Sequence, residues 1–446
     1  MIILSLNCGS SSVKYQLYDW TGKIVIATGV VERVTIGESF CVYEVNGRVA
    51  MKIPHECPTH KEAIDIIVKS LTHKDHGVLK DIHEIVAVGH RVVHGGEQFA
   101  KSVIIGDNEI AEFEKLAKLA PLHNPPNIMG IKAAMQLIPD VPHMAIMDTA
   151  WHQTMPATSY IYALPYEWYE KYGLRRYGFH GTSLLYVAKR AAVLLGKDPF
   201  DVNLVSLHIG NGVSVNAVKN GCSFDTSMGF TPLEGAVMGT RAGDHDAAID
   251  LYIMEEEGLD PKAMTTILNK KSGLLGITGK YVDRRDITEA AADGDRRSRL
   301  AVDIEAYRLK KYIGAYTAAL GSVDALVFTA GAGVKDDILR EKILDGLQPM
   351  GIVFDPGKNR IARSMNIEMD ITGPGSSARI LIIPTDEELV FIEDVVALLE
   401  NKYDIHTKFT YSFQEPGYRN RMRDANFARE CEAKPYLKDL IPDIPR

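Results

Sequence analysis

Leu204-Val-Ser-Leu-His-Ile-Gly-Asn-Gly-Val-Ser-Val-Asn-Ala-Val218 is an apolar run, a tight Gly-Asn-Gly turn and an alternating run. That is the pattern of a β-hairpin. The N-terminus repeats the device in Ile2-Ile-Leu-Ser-Leu-Asn-Cys-Gly-Ser-Ser-Ser-Val-Lys-Tyr-Gln-Leu-Tyr18. One offset (206 − 5 = 201) superposes Ser5 on Ser206, Leu6 on Leu207 and Gly9 on Gly210. Three identities are thin, but the shared strand–turn–strand order predicts a duplicated α/β unit. One half begins near residue 1 and the other near 150 to 200.

Working outward, helical and extended patterns alternate. Thr182-Ser183 can cap a helix whose stripe is Leu184, Leu185, Val187, Ala188, Ala191, Ala192 and Leu195, stopping before Gly196. A second helix is predicted from about Ser298 to Leu320. Asp324-Ala-Leu-Val-Phe-Thr-Ala-Gly331 reads as a buried strand opening into a glycine turn. Ile380-Leu-Ile-Ile-Pro384 is another strand, and Asp386-Glu-Glu388 starts a helix running through Val396 and Leu399. The alternation argues for an α/β fold. After about residue 402 the pattern stops. Residues 409–446 are polar, proline-punctuated and locally basic (Arg419, Arg421, Arg423), which suits either an ordered surface appendage or a flexible tail.

Composition narrows the function. With 50 Lys and Arg against 58 Asp and Glu, the formal charge is −8, which disfavours nucleic acid or an anionic membrane as partner. No apolar run approaches the roughly 18 residues of a membrane span. Met1-Ile-Ile-Leu-Ser-Leu-Asn7 lacks a basic leader and reads as a first buried strand, not a signal peptide. Cys8, Cys41, Cys57, Cys222 and Cys431 are odd in number and show no metal-ligand spacing, so reduced thiols and a cytoplasmic location are expected.

The segment Asp225-Thr-Ser-Met-Gly-Phe-Thr-Pro-Leu-Glu-Gly-Ala-Val-Met-Gly-Thr-Arg-Ala-Gly-Asp244 is too rich in Gly and hydroxyl residues for a buried strand or helix. Such a chain approaches a ligand closely and aims donors at it. Arg241 adds a fork-shaped cation suited to phosphate or carboxylate. Asn7-Cys-Gly-Ser-Ser-Ser12 with Lys14 is a hairpin tip able to form an anion nest, although taken alone it reads better as an ordinary turn. Its echo at Asn211-Gly212 suggests two hairpins serving one polyphosphate.

His90-Arg-Val-Val-His-Gly-Gly-Glu97 ends an apolar strand, where open α/β sheets bind ligands. Arg91 between His90 and His94 favours an anion over a metal. Ala120-Pro-Leu-His-Asn-Pro-Pro-Asn127 is a proline-stiffened loop. Asp148 follows Met144-Ala-Ile-Met147 and could be a base, a ligand of metal-bound water, or a helix cap. His180 stands before a helix start, as a phosphoryl ligand or a structural donor. No G-x-S-x-G, HExxH or EF-hand spacing occurs. Gly/Ser/Thr turns with Arg, His and isolated carboxylates are the equipment of phosphoryl transfer.

These residues resemble the acetate kinase family over about nine-tenths of the chain. The matching motifs, in order, are NCGSSSVK (Asn7–Lys14), HRVVHGGE (His90–Glu97), PLHNPPN (Pro121–Asn127), DTAWHQTMP (Asp148–Pro156), YGFHGTS (Tyr177–Ser183), the 225–244 segment, SGLLGITG (Ser272–Gly279) and PTDEEL (Pro384–Leu389). The resemblance implies two duplicated RNase H-like α/β domains of the sugar kinase, Hsp70 and actin type around a central cleft. It implies residues 1–150 plus about 388–402 as one domain, 151–387 as the other with the nucleotide site, and 403–446 as an extension. The implied reaction is reversible transfer of the ATP γ-phosphoryl group to acetate, with Mg²⁺ or Mn²⁺, by a homodimer.

By matching position, the resemblance implies that Arg91 and Arg241 grip the carboxylate and the moving phosphoryl group. His180 is implied as a transition-state ligand and Asp148 as the catalytic carboxylate. Val93, Leu122, Phe179 and Pro232 match the acyl pocket. Ser10, Ser12, Lys14, His208, Asn211, Gly212, Asp283, Arg285 and Gly331 match phosphate and nucleotide positions, and Asn7 and Glu387 match the metal site. The chain departs from the family at Leu184, Ala242, Asp244-His-Asp-Ala247 and above all Gly331-Ala-Gly-Val-Lys335, where the family has GIGEN. That last change leaves ATP, GTP and pyrophosphate open as donors. Propionate or butyrate kinases are the rivals within the family. An Hsp70- or actin-like ATPase is the rival outside it.

Overall fold

The computed structural model describes residues 1–120 and 123–444. The chain forms two compact units, Met1–Gln153 with Asp386–Ser412, and Thr154–Thr385 with Phe413–Arg446.

The first unit holds β1 (Ile2–Cys8), β2 (Ser12–Asp19), β3 (Ile24–Glu32), β4 (Phe40–Val45), β5 (Met51–Pro54), β6 (Ile85–Val92), β7 (Val103–Ile104) and β8 (His143–Met147). They form one sheet in the order β5-β4-β3-β2-β1-β6-β8-β7. β1 and β2 are antiparallel, whereas β1, β6 and β8 run parallel. Both sheet faces are covered, as parallel strands require. Leu4 and Leu6 of β1 pack with Ile64, Ile67 and Leu71 of the helix His60–Leu71. Ile3, of opposite pleat, packs with Phe391, Ile392 and Val395 of the helix Glu387–Leu399.

The second unit holds β9 (Leu204–Ile209), β10 (Val213–Lys219), β11 (Cys222–Thr226), β12 (Ala325–Thr329), β13 (Met369–Asp370) and β14 (Arg379–Ile382), in the order β11-β10-β9-β12-β14-β13. β9 and β10 are antiparallel, and β9, β12 and β14 run parallel. The core order β3-β2-β1-β6-β8 of one unit is thus the order β11-β10-β9-β12-β14 of the other. Both units have the mixed α/β topology of the sugar kinase, Hsp70 and actin type. The two hairpins picked out by sequence occupy equivalent places in the two sheets.

Three local expectations are refined. The helix expected after Thr182-Ser183 spans Gly181–Leu195, so His180 is its N-cap, in the left-handed region at φ 59°. The long helix begins at Arg296 because Asp295 accepts the Ser298 N–H at 3.0 Å. The glycine turn expected at Gly331 is instead a short helix, Ala330–Lys335, entered through Ala330 at φ 63°. The turn residues Gly331 and Gly333 join it because Ala330 itself makes the left-handed bend.

Through residue 444 the polar C-terminal stretch is divided between the units at Ser412. Tyr411 and Ser102 hydroxyls donate to the buried Asp394 carboxylate at 2.9 and 2.6 Å, fastening the part before residue 412 to the first unit. Beyond it, the helix Arg421–Ala433 packs in the second unit.

Candidate active site

In the first unit the chemistry gathers at the C-terminal ends of β1, β6 and β8, the edge where α/β sheets bind ligands. Arg91 lies in β6 and Asp148 directly after β8. Their pairing is two-pronged: Arg91 Nε donates to Asp148 Oδ1 at 2.9 Å and Nη2 to Oδ2 at 2.5 Å. Asp148 is almost fully buried and Arg91 partly open. The carboxylate therefore fixes the guanidinium plane and leaves Nη1 outside the two-pronged pair. Asp148, with Glu387 adding to it, holds the Arg91 charge against burial, so the cation is permanent.

The loop after β6 is held by residues that motif matching left without a role. Asn127 Oδ1 accepts the Val93 N–H at 3.1 Å while its Nδ2 donates to the Cys8 carbonyl at 2.7 Å. Asn124 binds both the N–H and the carbonyl of His94, at 3.2 and 2.9 Å. Thr149 Oγ1 accepts the Gly95 N–H at 3.1 Å. The signal was present in PLHNPPN, whose asparagines can bind two backbone groups at once. Val93 is half-buried on this loop. Leu122 lies outside the described residues.

Asn7 is the next-to-last residue of β1, opposite Lys14 of β2. Gly9 N–H donates to Ser12 O at 2.8 Å, shaping the tip that carries Ser10. Among the described residues no group of three or more His, Cys, Asp or Glu could hold a metal unaided. Mg²⁺ needs less: one or two carboxylates, with phosphate oxygens and water. Glu387 fits this. Burial pushes its carboxyl up from the usual range, Asp148 adds to the effect, and Arg91 and Lys14 only partly oppose it. A hard dication would relieve that strain, and the Asn7 amide oxygen is a suitable second donor.

In the second unit Arg241 and His180 meet at the turn between β9 and β10. A Cβ on Gly212 would lie 3.3 Å from His180 Cε1 and 3.5 Å from Arg241 Nη1. His180 Nδ1 is engaged with Ser214 Oγ at 2.9 Å, and its ring stacks on His208 at 4.2 Å between centroids. His208 is oriented in turn by Ser183 Oγ at 2.8 Å. Arg241 Nη1 donates to the Pro232 carbonyl at 3.2 Å. Among the described residues no carboxylate lies within 4.0 Å of Arg241, and burial alone pulls its pKa down. A desolvated guanidinium with no counter-charge is suited to receive an anion. Phe179, buried, and Pro232, half-buried, belong to the same unit.

A cavity of about 820 Å³ in this unit is lined by Asn211, Asp283, Arg285, Gly331, Lys335 and Arg363 among others. Four predicted nucleotide positions therefore share one space of ligand size. Asp283 and Arg285 face each other: Arg285 Nη2 donates to Asp283 Oδ2 at 2.5 Å, holding that carboxyl down at about 2. The residue missed by sequence is Arg284. It is anchored on buried Glu305 at 2.8 Å and donates from Nη1 to the Gly210 carbonyl at 2.5 Å, so it braces the turn between β9 and β10. Beside Arg285, a second arginine carries no separate signal in sequence. Ser10, Ser12 and Lys14 belong to the first unit and do not line this cavity.

A profile described as the Acetokinase family matches residues 2–393. The acetate kinase of Geobacter sulfurreducens is 60% identical over 413 residues, covering 93% of this chain and 98% of that one. The acetate kinase of Treponema pallidum is 55% identical over 447 residues, 100% of this chain and 99% of that one, so the C-terminal stretch has a counterpart there. The crystal structure of Porphyromonas gingivalis acetate kinase is 44% identical with a TM-score of 0.85, over 89% of this chain and 99% of that one.

Proposed function

From the premise that this chain belongs to the acetokinase family, and so is an acetate kinase transferring phosphoryl groups to a carboxyl acceptor, we propose how its residues share the work. Arg91 and Arg241 neutralise the acceptor carboxylate and the transferring phosphoryl group. Asp148 orients Arg91. His180, its Nδ1 held by Ser214, directs the other ring edge toward the phosphoryl oxygens. Val93, Leu122, Phe179 and Pro232 receive the acyl methyl group.

Acetate is already a nucleophile. One carboxylate oxygen forms the new bond to γ-phosphorus as the bond to the β–γ bridging oxygen breaks, and ADP departs with that electron pair. No general base is required. The barrier is repulsion between anions, and fixed cations lower it without reorganising. Asn7 and Glu387 would hold Mg²⁺, which supplies further charge neutralisation on the nucleotide phosphates. Asn211, Gly212, His208, Ser10, Ser12 and Lys14 contribute phosphate contacts, and Asp283, Arg285 and Gly331 border the nucleotide.

The observation that carries this reading is Arg241, desolvated beside His180 and Gly212 with no carboxylate partner among the described residues. We further propose a homodimer, supported by the helix Ala247–Glu257, which buries none of its residues and exposes Ile249, Leu251 and Tyr252. The five free cysteines support a reducing, cytoplasmic setting.

The test is a hydroxamate assay of acyl phosphate formation with ATP, GTP and pyrophosphate against acetate, propionate and butyrate. Acetate with ATP should be productive. GTP should fall within about tenfold of ATP, a difference of under about 1.4 kcal/mol, because the altered Gly331–Lys335 segment offers few side chains to read a base. Pyrophosphate as the sole productive donor would overturn the nucleotide assignment.

A further inference from the structure

Both peptide planes of the turn between β9 and β10 are pinned by their carbonyls. Arg284 Nη1 donates to the Gly210 carbonyl at 2.5 Å, and the Gly239 N–H donates to the Asn211 carbonyl at 3.0 Å. A trans peptide is planar, so its N–H points opposite to its C=O. Fixing these two carbonyls therefore fixes the N–H groups of Asn211 and Gly212. No carbonyl among the described residues takes either N–H. Two successive amide donors of this kind form an anion nest. Gly210, Asn211 and Arg284 all line the cavity of about 820 Å³.

Arg284 holds its place at a cost. It opens the helix Arg284–Ala292, where a cation opposes the helix dipole. Its counter-charge is Glu305, on the helix Arg296–Leu320 and only 2% exposed. Arg284 Nε donates to Glu305 Oε1 at 2.8 Å, and Nη2 donates to the same oxygen at 2.5 Å. Burial pushes the Glu305 carboxyl up, and Arg284 opposes that shift. Replacing a buried ion pair by apolar side chains of similar volume often leaves stability unchanged or higher. What this pair adds is orientation. The carboxylate holds the planar fork by two of its nitrogens and delivers the third to the Gly210 carbonyl.

We propose that Arg284 and Glu305 are a positioning pair that presents the Asn211 and Gly212 N–H groups to the donor's phosphates. Affinity for the polyphosphate, and not for the base, then depends on them. The proposal rests on the reading of this cavity as the nucleotide site. A pair that only joins two helices would make the same contacts, and the experiment separates the two.

ADP and pyrophosphate are each used to displace a fluorescent ADP analogue from the full-length protein. The variants are Arg284→Lys, Glu305→Gln, the double substitution Arg284→Met, Glu305→Leu, and Gly331→Leu. Arg284→Lys keeps the charge and loses the fork. It should weaken ADP and pyrophosphate by the same factor, about tenfold, the worth of one hydrogen bond to a charged group. Glu305→Gln should weaken both ligands as well, because it frees the fork. The double variant strands no charge, should show the same loss, and decides the question if the single variants do not fold. Gly331→Leu fills open space in the cavity, where a Cβ meets nothing within 4 Å, and should weaken ADP. Wild-type affinities in the Arg284 and Glu305 variants, with Gly331→Leu weakened, would leave the pair a helix joint only. A loss confined to ADP would place the damage at the base, and failure of pyrophosphate to displace the analogue from wild type would remove the phosphate nest; either overturns the proposal. A loss in Arg284→Lys without one in Glu305→Gln would make Arg284 a direct phosphate ligand and end its positioning role. Unchanged ADP affinity in Gly331→Leu would remove the cavity reading, and the proposal with it.

Discussion

Arg91 and Arg241 reach similar chemistry by opposite routes. Arg91 is braced by a buried carboxylate, whereas Arg241 Nη1 donates to the Pro232 carbonyl and, among the described residues, forms no ion pair. Their substitutions should differ accordingly. Arg241→Ala should lower kcat by on the order of 100- to 1,000-fold with little loss of fold, since it deletes a transition-state cation and strands no buried charge, only the Pro232 carbonyl. Arg91→Ala should cost comparable activity and also lower Tm, because Asp148 becomes a buried, unpaired charge. Steady-state kinetics with thermal melts of both variants decide this. Equal Tm values would mean that Asp148 finds another partner, and near-normal kcat/KM would remove either arginine from the reaction.

At the scale of elements, the 225–244 loop is held by close backbone approach. Gly273, in SGLLGITG, sits at φ 60°, and a Cβ there would lie 2.1 Å from the Met238 carbonyl oxygen and 2.6 Å from that of Arg241. Gly273→Ala should therefore destabilise by at least ~2 kcal/mol, the left-handed penalty and the clash adding, and should reduce kcat by shifting Arg241. A melting curve within a degree of wild type would refute this. The helix Glu387–Leu399 makes a different prediction through Asp394. Burial raises that carboxyl to about 7, although Ser102 and Tyr411 hydroxyls oppose the shift. A folded-state pKa above the unfolded value means the native state holds the proton more tightly. The stability this contributes is full below about pH 4 and is lost as pH rises toward 7, by up to roughly 4 kcal/mol. Asp394→Asn should flatten the decline of Tm between pH 5 and 8. Parallel slopes for the two proteins would show that Asp394 does not titrate in that window.

For the whole molecule, the helix Ala247–Glu257 is the feature that a single chain leaves unexplained. Ile249, Leu251 and Tyr252 are 52%, 70% and 60% exposed on an element that buries nothing. An apolar face of this kind marks an interaction surface. Light scattering at micromolar concentration should give twice the chain mass of 49.3 kDa. The double substitution Leu251→Glu, Tyr252→Glu should return it to one chain mass. A monomeric wild type would sink the dimer proposal.

Much of this was written in local sequence. The hairpins at Ile2–Tyr18 and Leu204–Val218 declare themselves because alternation, apolar runs and Gly/Asn turns are short-range signals, and their repetition announced two equivalent sheets. Arg91, Asp148, His180 and Arg241 could be singled out because each stands in a motif that resembles the acetokinase family, and the roles proposed for them come from that resemblance. Tertiary structure decided what depends on residues distant in the chain. The bracing of Arg91 by Asp148 spans 57 positions, and that of the Gly210 turn by Arg284 spans 74. The left-handed bend at Ala330, where a glycine turn was expected, cannot be read from alanine's own preferences. The docking of Arg423 on Pro384 and Thr385 was equally hidden. A basic residue in a polar tail looks the same whether it faces water or two carbonyls, and only packing distinguishes them.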